Sequence, residues 1–268
     1  MKISVITVCY NAENVIERTM TSVLSQNYTD IEYIIVDGAS QDHTMDIVRR
    51  YAADTRIRYL SEPDQGIYDA MNKGIQLATG EYLEFLNAGD VLADSDVIGI
   101  VVQKIAQNPA DVVYGNIIYE YPDHSTSVRV YGQFCASLFY YLLGDCINHQ
   151  AIFAKRECFE AHKFNTEYRI CADREWMICL KKDGKSFQAL NMLICRYSLD
   201  EDSTSIRNKE LYNREAERCI KEHLKAGYPI FWLLNKIRSG KMSAKVLHLA
   251  YKLLFLRGKN RRDLISRQ

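Results

Sequence analysis

The feature that most constrains the fold is the regular alternation of short apolar runs with helical stretches over the first 90 residues. The run Ile3–Cys9 is rich in β-branched residues and free of charge, which suits a strand buried on both faces. A helical stretch follows at residues 13–26, with Asn11 in position to cap it. The pattern repeats as strands at residues 31–36, 57–60 and 82–86 and as helices at residues 43–53 and 66–78. It predicts an α/β fold, with a parallel sheet that has helices on both faces.

After Asp90 the alternation becomes irregular, and the later elements read as additions to the same sheet. The sequence predicts helices at residues 95–107 and 133–143, strands at residues 112–121, 127–131 and 148–154, and a helix that starts near Ala172. We therefore predict one α/β domain over residues 1–205, with halves at about 1–90 and 91–205. A helical, basic C-terminal extension is predicted over residues 206–268.

Charge is unevenly placed along a chain whose formal net charge is zero. From Lys225 onward there are eleven basic residues and one acid, so this last part of the extension carries +10 and the residues before it −10. An acidic body argues against a nucleic-acid partner. No run in the extension reaches the ~20 apolar residues of a spanning helix. A basic amphipathic extension favours a helix lying on an anionic membrane surface, and the alternative is a helix packed on the domain or at a subunit contact.

Cysteine usage and the N-terminus favour a cytoplasmic protein. The eight cysteines include no C-x-x-C pair, and most stand in apolar runs, which is typical of buried thiols in a reducing compartment. The N-terminal residues begin directly with a predicted strand and lack the features of a secretion signal. We expect a cytoplasmic protein that is peripheral on the inner face of the cell membrane if the extension binds lipid.

Polar residues follow three of the predicted strands, where an open parallel sheet binds its ligand. Tyr10 and Asn11 follow the first strand, Asp37 follows the second, and residues 87–90 follow the fourth. The loop after the first strand contains no glycine, which argues against a dinucleotide-binding site and against a nucleotidyltransferase. The chain also lacks the G-x-x-x-x-G-K-[ST] motif of P-loop ATPases.

Four motifs carry a resemblance to a known family. They are VITVCYNA at residues 5–12, IIVDGASQDHT at 34–44, SEPDQGIYDAMNKG at 61–74 and FLNAGD at 85–90. In this order they resemble the family 2 glycosyltransferases of GT-A fold, and the third resembles the bacterial surface-polysaccharide branch. The likeness extends to about residue 199. It implies a Rossmann-like, mixed and mostly parallel sheet, with nucleotide bound by residues 1–90 and acceptor by residues 91–205.

The resemblance also implies an activity. It indicates a metal-dependent, inverting glycosyltransferase of the hexosyltransferase type, which moves one sugar from a nucleotide-diphosphate sugar, a UDP-sugar, to a lipid-linked saccharide acceptor. The chain has no Q-x-x-R-W stretch and no spanning helix, which argues against a processive polymer synthase. Because Asn87 replaces an acidic residue of the family pattern, a catalytically silent nucleotide-sugar-binding scaffold of the same fold is the alternative.

Five residues are expected to bind the nucleotide. By the resemblance, Asp37 accepts a hydrogen bond from the nucleobase, although an aspartate followed by glycine is also ordinary turn chemistry. Tyr10 is expected to stack on the base or the ribose, and Thr7 and Asn11 to line the same wall. Asn87 is expected to contact the ribose or a metal-bound water.

The segment Asn87 to Asp90 occupies the place of the family's D-x-D motif. Its second carboxylate, Asp90, is the expected ligand of a divalent metal, Mn²⁺ or Mg²⁺, that bridges the donor phosphates. A single carboxylate can suffice because such hard cations keep several waters. The alternative is that Asp90 only caps the following loop.

The expected catalytic base is Asp173, within the sequence ICADREWM at residues 170–177. It stands at the start of a predicted helix, where capping contacts would hold it. Glu175 is the runner-up, although it should point elsewhere. His149 and Gln150, at the start of a predicted strand, and Glu175 are the expected acceptor-side residues. A polar loop at residues 200–205 is predicted to close over the donor, with Arg207 near the diphosphate.

Overall fold

The computed structural model describes residues 1–199 and 208–238. The predicted closing loop at residues 200–205, Arg207 and the basic tail after residue 238 lie outside the described residues.

One nine-stranded sheet forms the centre of the molecule. Its strands lie in the order β3-β2-β1-β4-β8-β6-β9-β5, and β7 pairs with β6 beside this path. The strands are β1 Ile3–Cys9, β2 Ile31–Asp37, β3 Ile57–Ser61, β4 Tyr82–Phe85, β5 Val91–Leu92, β6 Val112–Glu120, β7 Thr126–Arg129, β8 Ile152–Lys155 and β9 Phe187–Ser198.

The directions of the strands confirm a mixed, mostly parallel sheet. The first four strands pair with one another only in parallel, whereas β8 runs antiparallel to both β4 and β6, and β9 runs parallel to β6. Six of the nine strands, β1 to β4, β6 and β9, therefore share one direction. Every residue of β1 and β2 is buried, as their apolar sequences predict.

Nine helices are described around this sheet. They are α1 Ile16–Leu24, α2 Thr44–Arg50, α3 Ile67–Leu77, α4 Val97–Gln107, α5 Leu138–Leu142, α6 Arg156–Ala161, α7 Ala172–Lys182, α8 Lys209–His223 and α9 Tyr228–Arg238. Short 3₁₀ turns occupy Gln133–Ala136, His149–Ala151 and Lys225–Gly227. Helix α3 packs on β1 and β2, and α8 packs on α7. All eight cysteines are free thiols.

The structure corrects three local predictions. Asn11 does not cap α1, because the cap residue is Val15 and the Asn11 backbone is left-handed with a φ of 49°. His149 lies in a 3₁₀ turn rather than at the start of a strand, since β8 begins only at Ile152. The predicted helix at residues 133–143 is a 3₁₀ turn followed by the short helix α5. The sequence did not predict β5, whose two residues are too few to show a period.

The described part of the C-terminal extension packs on the rest of the protein. Helix α9 contacts α5 and α8. The buried carboxylate of Glu215, on α8, accepts hydrogen bonds from the backbone N–H groups of Arg169, Ile170 and Cys171 at 2.9, 2.9 and 3.1 Å. These bonds hold the segment that leads into α7 against α8. Among residues 1–199 and 208–238, no helix is long and apolar enough to cross a bilayer.

Glu215→Gln should lower the free energy of unfolding by about 2–3 kcal/mol, because an amide NH₂ replaces one acceptor oxygen and leaves buried N–H groups unpaired. Urea unfolding followed by circular dichroism measures the change. The matched control is Glu210→Gln, an exposed position in the first turn of the same helix. Equal unfolding midpoints for the two variants would contradict the role of Glu215.

Candidate functional site

Two cavities open at the edge of the sheet where the parallel strands end. The first, which we call the Asp90 cavity, has a volume of about 510 Å³, and the second, the Asp173 cavity, has about 590 Å³. Three residues line both of them, namely Ile67, Asn87 and Tyr197. The two cavities are therefore neighbours, and Asn87 stands between Asp90 and Asp173.

The Asp90 cavity is built by loops that follow parallel strands. Tyr10 and Asn11 follow β1, residues 87–90 follow β4, and Ser198 ends β9. The side chain of Tyr10 is 62% exposed, so its ring face is open to a ligand. Tyr10, Asn11, Asn87 and Asp90 therefore lie together, as the sequence predicted.

Asp90 is a buried carboxylate with an altered proton affinity. Its two oxygens accept hydrogen bonds from Gln150 Nε2 and from the backbone N–H of Ser198, each at 3.0 Å. Burial raises the pKa of Asp90 to about 7, because the charged form loses hydration. Each oxygen keeps a lone pair beyond these hydrogen bonds, so the carboxylate can also bind a cation.

The polar atoms beside Asp90 fit a hard divalent cation. The side-chain oxygens of Asn87 and Gln150 are buried and have no hydrogen-bond partner among the described residues. Carboxylate and amide oxygens, completed by water, are the donors that Mg²⁺ and Mn²⁺ prefer. Asp90 is the residue that would hold the cation directly, and Asn87 and Gln150 lie within its surroundings.

Glu84, on β4, is a second buried carboxyl group close to Asp90. It is fully buried, and neither of its oxygens has a hydrogen-bond partner among the described residues. Burial and the charge of Asp90 hold the pKa of Glu84 well above its ordinary value. Burial therefore favours the protonated, uncharged form of this group.

Two of the residues expected to bind nucleotide lie behind the cavity wall. Thr7 is buried and donates a hydrogen bond of 2.7 Å to the Leu86 carbonyl oxygen. The Asp37 carboxylate is also buried and accepts hydrogen bonds from the Ser40 hydroxyl, from the Ser40 N–H at 3.1 Å and from the Ser61 hydroxyl at 2.7 Å. Neither Thr7 nor Asp37 lines the Asp90 cavity.

Asp64 is the carboxylate that lines the cavity on this side. A side chain at Gly38 would collide with the Asp64 carboxylate and would lie 3.4 Å from the Tyr10 ring. Asp64, Gly38 and Tyr10 therefore converge on one wall. The sequence placed Asp64 within a family motif, but the motif did not reveal that Asp64 lies against Gly38 and lines the cavity in place of Asp37.

Asp173 lies in the second cavity, within a hydrogen-bonded chain that leads back to Asn87. Its Oδ2 atom is 3.3 Å from His149 Nδ1, and its Oδ1 atom is 3.2 Å from the Tyr68 hydroxyl. His149 Nε2 is 3.1 Å from Asn87 Nδ2. Because an amide nitrogen only donates, Nε2 is the acceptor, and Nδ1 carries the proton that is donated to Asp173.

Asp173 and Glu175 have other contacts than the sequence predicted, which were helix-capping contacts for Asp173 and a place on the acceptor side for Glu175. Cys171 rather than Asp173 is the cap residue of α7, and Asp173 is the second helical residue, with Oδ1 accepting the Arg174 N–H at 2.8 Å. Glu175 does not lie on the acceptor side: it lines neither cavity, and its carboxylate is 3.2 Å from His223 Nε2 on α8. Two positions along a helix turn a side chain by about half a circle.

Several residues of the Asp173 cavity were not predicted. They are Tyr68, Tyr119, Arg129, Asp145, Arg169, Arg174, Lys209 and Tyr212. They come from six separate parts of the chain, so no local motif could have grouped them. Tyr68 is buried on its helix, but its hydroxyl reaches Asp173.

Comparison with known proteins agrees with this geometry. The family model described as glycosyl transferase family 2 matches residues 4–161. A PGL/p-HBAD biosynthesis glycosyltransferase of Mycobacterium bovis is 33% identical over 217 residues, which cover 79% of this chain and 82% of that protein. The chondroitin synthase of Pasteurella multocida is 27% identical over 207 residues, which cover 77% of this chain and 21% of the synthase.

Solved structures share the fold. S. aureus TarS 1–349 in complex with UDP-GlcNAc matches with a TM-score of 0.68 and 15% identity, over 95% of this chain and 80% of that one. The mannosyltransferase PcManGT of Pyrobaculum calidifontis, in complex with GDP-Man and Mn²⁺, matches with a TM-score of 0.62 and 19% identity, over 94% and 80%. The fold is thus that of GT-A glycosyltransferases, and with the family match over residues 4–161 the chain belongs to the family 2 glycosyltransferases.

Proposed function

We propose that this glycosyltransferase moves one sugar from a nucleotide-diphosphate sugar, a UDP-sugar, to a saccharide acceptor in polysaccharide or glycolipid biosynthesis. The transfer inverts the anomeric configuration and uses a divalent metal. Two kinds of similarity support this proposal. Proteins of similar fold have been solved in complex with UDP-GlcNAc and with GDP-Man and Mn²⁺. A relative in sequence is named as a glycosyltransferase of PGL/p-HBAD biosynthesis.

One observation carries the proposal: Asn87 borders both cavities, with Asp90 in one and Asp173 in the other. In an inverting transfer the acceptor hydroxyl attacks the anomeric carbon from the face opposite the departing diphosphate. The reaction therefore needs a donor site and an acceptor site that meet at one point, with a proton acceptor on the acceptor side. The two neighbouring cavities meet this requirement, and Asp173 is the proton acceptor.

The charges of the Asp90 cavity support a metal requirement. Its charged lining residues are Asp64 and Asp90, and no basic side chain of residues 1–199 and 208–238 lines it. Such a cavity repels a diphosphate, so a cation must accompany the donor. When bound at Asp90, the metal would neutralise the negative charge that develops on the departing diphosphate.

Nucleoside recognition is assigned to the wall formed by Tyr10, Gly38 and Asp64. The exposed Tyr10 ring offers a stacking surface, and the lack of a side chain at Gly38 lets the Asp64 carboxylate pack against this wall. We propose that Asp64 accepts the hydrogen bond from the nucleobase. Asp37 supports this wall from behind through its hydrogen bonds to Ser40 and Ser61.

Asp173 is suited to its role by the groups that hold it. Burial raises the pKa of Tyr68 well above its ordinary value, so the phenol keeps its proton, which the hydroxyl shares between the Ile170 carbonyl oxygen at 2.7 Å and Asp173 Oδ1 at 3.2 Å. His149 donates to the other oxygen. These two contacts fix the plane of the carboxylate, so a lone pair can face the acceptor hydroxyl in the cavity.

Metal-dependent binding of UDP should weaken as the pH falls below about 7. The pKa of Asp90 is raised to about 7 by burial, so below this pH a metal must displace a proton from the carboxylate. We expect the apparent affinity for Mn²⁺ to fall by up to about tenfold per pH unit below 7 and to be constant above it. Calorimetric titration between pH 5.5 and 8.5 measures this dependence.

The control variant is Asp90→Asn, which keeps the size of the side chain. In this variant Mn²⁺ should no longer strengthen UDP binding. The affinity should also lose its dependence on pH, except for the part that comes from the titration of the UDP phosphates. If the variant and the unaltered protein showed the same response to Mn²⁺, Asp90 would not be the ligand.

Asp173→Asn should lower turnover by about 10²–10⁴-fold, because the amide cannot accept the proton of the acceptor hydroxyl. The affinity for the nucleotide should hardly change, since the group acts on the acceptor. Turnover is measured as UDP release with an accepted saccharide. Asp183→Asn, at the other end of α7, makes the same chemical change outside both cavities. Near-normal turnover in Asp173→Asn would exclude it as the base.

We also propose that the protein is cytoplasmic, without a nucleic-acid partner, and that its basic extension attaches it to the inner face of the membrane. Eight of the eleven basic residues from Lys225 onward follow residue 238. Trp232, on α9, is 49% exposed, and aromatic side chains of this kind favour the membrane interface.

Removing residues 239–268 should abolish binding to vesicles that contain phosphatidylglycerol at low salt. Each basic residue near an anionic surface contributes about 1 kcal/mol to the free energy of membrane binding. The loss of eight basic residues should therefore remove the electrostatic attraction to the vesicles. Vesicle sedimentation measures binding, with phosphatidylcholine vesicles as the neutral control. The extension would be a packing element instead if the full-length protein did not bind the anionic vesicles.

A further inference from the structure

The Asp173 cavity is cationic, although the body of the protein is acidic. Its charged lining consists of four basic residues and two acids, which are Arg129, Arg169, Arg174, Lys209, Asp145 and Asp173. The neighbouring Asp90 cavity has the opposite character, with two acids and no base among its described lining residues. The positive charge is therefore confined to the side where the acceptor binds.

The described residues neutralise only part of this positive charge. Arg129 forms an ion pair of 2.5 Å with Asp145, so these two charges cancel. The remaining acid is Asp173, whose oxygens already accept hydrogen bonds from His149 and Tyr68. Among the described lining residues, Arg169, Arg174 and Lys209 thus face one carboxylate, which leaves an excess of about two positive charges.

Arg169 and Lys209 are the accessible cations of this cavity. Both are exposed, and neither side chain forms an ion pair within residues 1–199 and 208–238. Their backbones are nevertheless held in place, since the Arg169 N–H is bonded to Glu215 and Lys209 begins the 15-residue helix α8. The N-terminal end of α8 adds further positive potential at the same wall.

Arg174 lies behind this wall and has no carboxylate partner among the described residues. Its side chain is 1% exposed, and its Nη2 atom donates to the Gly144 carbonyl oxygen and the Tyr212 hydroxyl. Its Nε and Nη1 atoms have no hydrogen-bond partner in the described structure. A buried cation without an anion is costly, so it is retained when a ligand brings the missing charge.

We propose that the Asp173 cavity binds an anionic group of the acceptor, a phosphate or a carboxylate, between Arg169 and Lys209 and in front of Arg174. The identification of this ligand as the acceptor rests on the proposed function. The acceptor is then a charged saccharide, such as a sugar phosphate ester or a uronic acid. Its anionic group is bound by the cations while its hydroxyl lies near Asp173.

Anion binding can be measured without nucleotide, metal or turnover, so the result is independent of the proposed transfer reaction. Inorganic pyrophosphate and glucuronate are titrated separately into the full-length protein in low-salt buffer with EDTA, by calorimetry and thermal unfolding. We expect one of them to bind and to raise the unfolding midpoint. Pyrophosphate binding indicates a phosphate-bearing acceptor, and glucuronate binding indicates an acidic sugar.

Two variants test the residues. The double variant Arg169→Gln with Lys209→Gln should weaken anion binding by at least about tenfold, because two charge-assisted contacts are lost. Its matched control is Arg49→Gln with Lys104→Gln, which removes the same charge from exposed helix positions outside both cavities. Arg174→Met should raise the unfolding midpoint without anion and abolish the anion-induced increase.

Three results would overturn the proposal. The first is that neither anion binds the unaltered protein. The second is that the double variant binds the anion as tightly as its control. The third is that UDP with Mn²⁺ competes with the anion, which would make these cations part of the donor site. A lower unfolding midpoint for Arg174→Met, with the anion response retained, would show that Arg174 is structural and remove it from the site.

Discussion

The antiparallel pairing of β8 with β4 is the constraint on which the whole site depends. The register of these strands places the start of β8 beside the carboxyl end of β4, because Leu83 lies opposite Ala154 and Glu84 opposite Phe153. The 3₁₀ turn His149–Ala151, which precedes β8, is thereby brought against Asn87 and Asp90. A parallel strand at this position would have placed its first residues at the opposite edge of the sheet, far from the ligand.

The turn before β8 serves both cavities through two adjacent side chains. Gln150 donates to Asp90, and His149 joins Asn87 to Asp173. If binding of the nucleotide-sugar changes the position of Asn87, it therefore also changes the hydrogen bond between His149 and Asp173, the proposed catalytic base. The polar contacts explain why this turn is not a regular strand, since a strand would direct successive side chains to opposite faces.

The sequence predicted the first half of the domain, residues 1–90, better than the second half, residues 91–205. The strands β1 to β4 could be assigned because short strand-like runs alternate with helical stretches in this part of the sequence, and the residues after them meet at one edge by the general rule for parallel sheets. The cavity that contains Tyr10, Asn11, Asn87 and Asp90 was predictable for this reason. The burial of Asp37 was not, because it depends on hydroxyl groups of Ser40 and Ser61 that fold over the carboxylate.

The second half was predictable only where a motif was local, as for Asp173. The contacts of this residue with Tyr68 and His149 join positions 105 and 24 residues apart, and no periodicity encodes such distances. Glu175 shows the converse, since its place two residues after Asp173 on one helix was enough to predict that it points elsewhere. Its partner His223 could be found only from the packing of α8.

The opposite charges of the two cavities also explain how each cavity selects its own ligand. The Asp90 cavity repels an anion until a cation is bound, whereas the Asp173 cavity attracts one directly. A diphosphate and an anionic acceptor would repel each other at the shared Asn87 if both were bound without compensation. With a cation at Asp90 and the cations Arg169 and Lys209 on the other side, each anion has its own counter-charge. Asn87 and His149 then lie between the two charges, where the cavities meet.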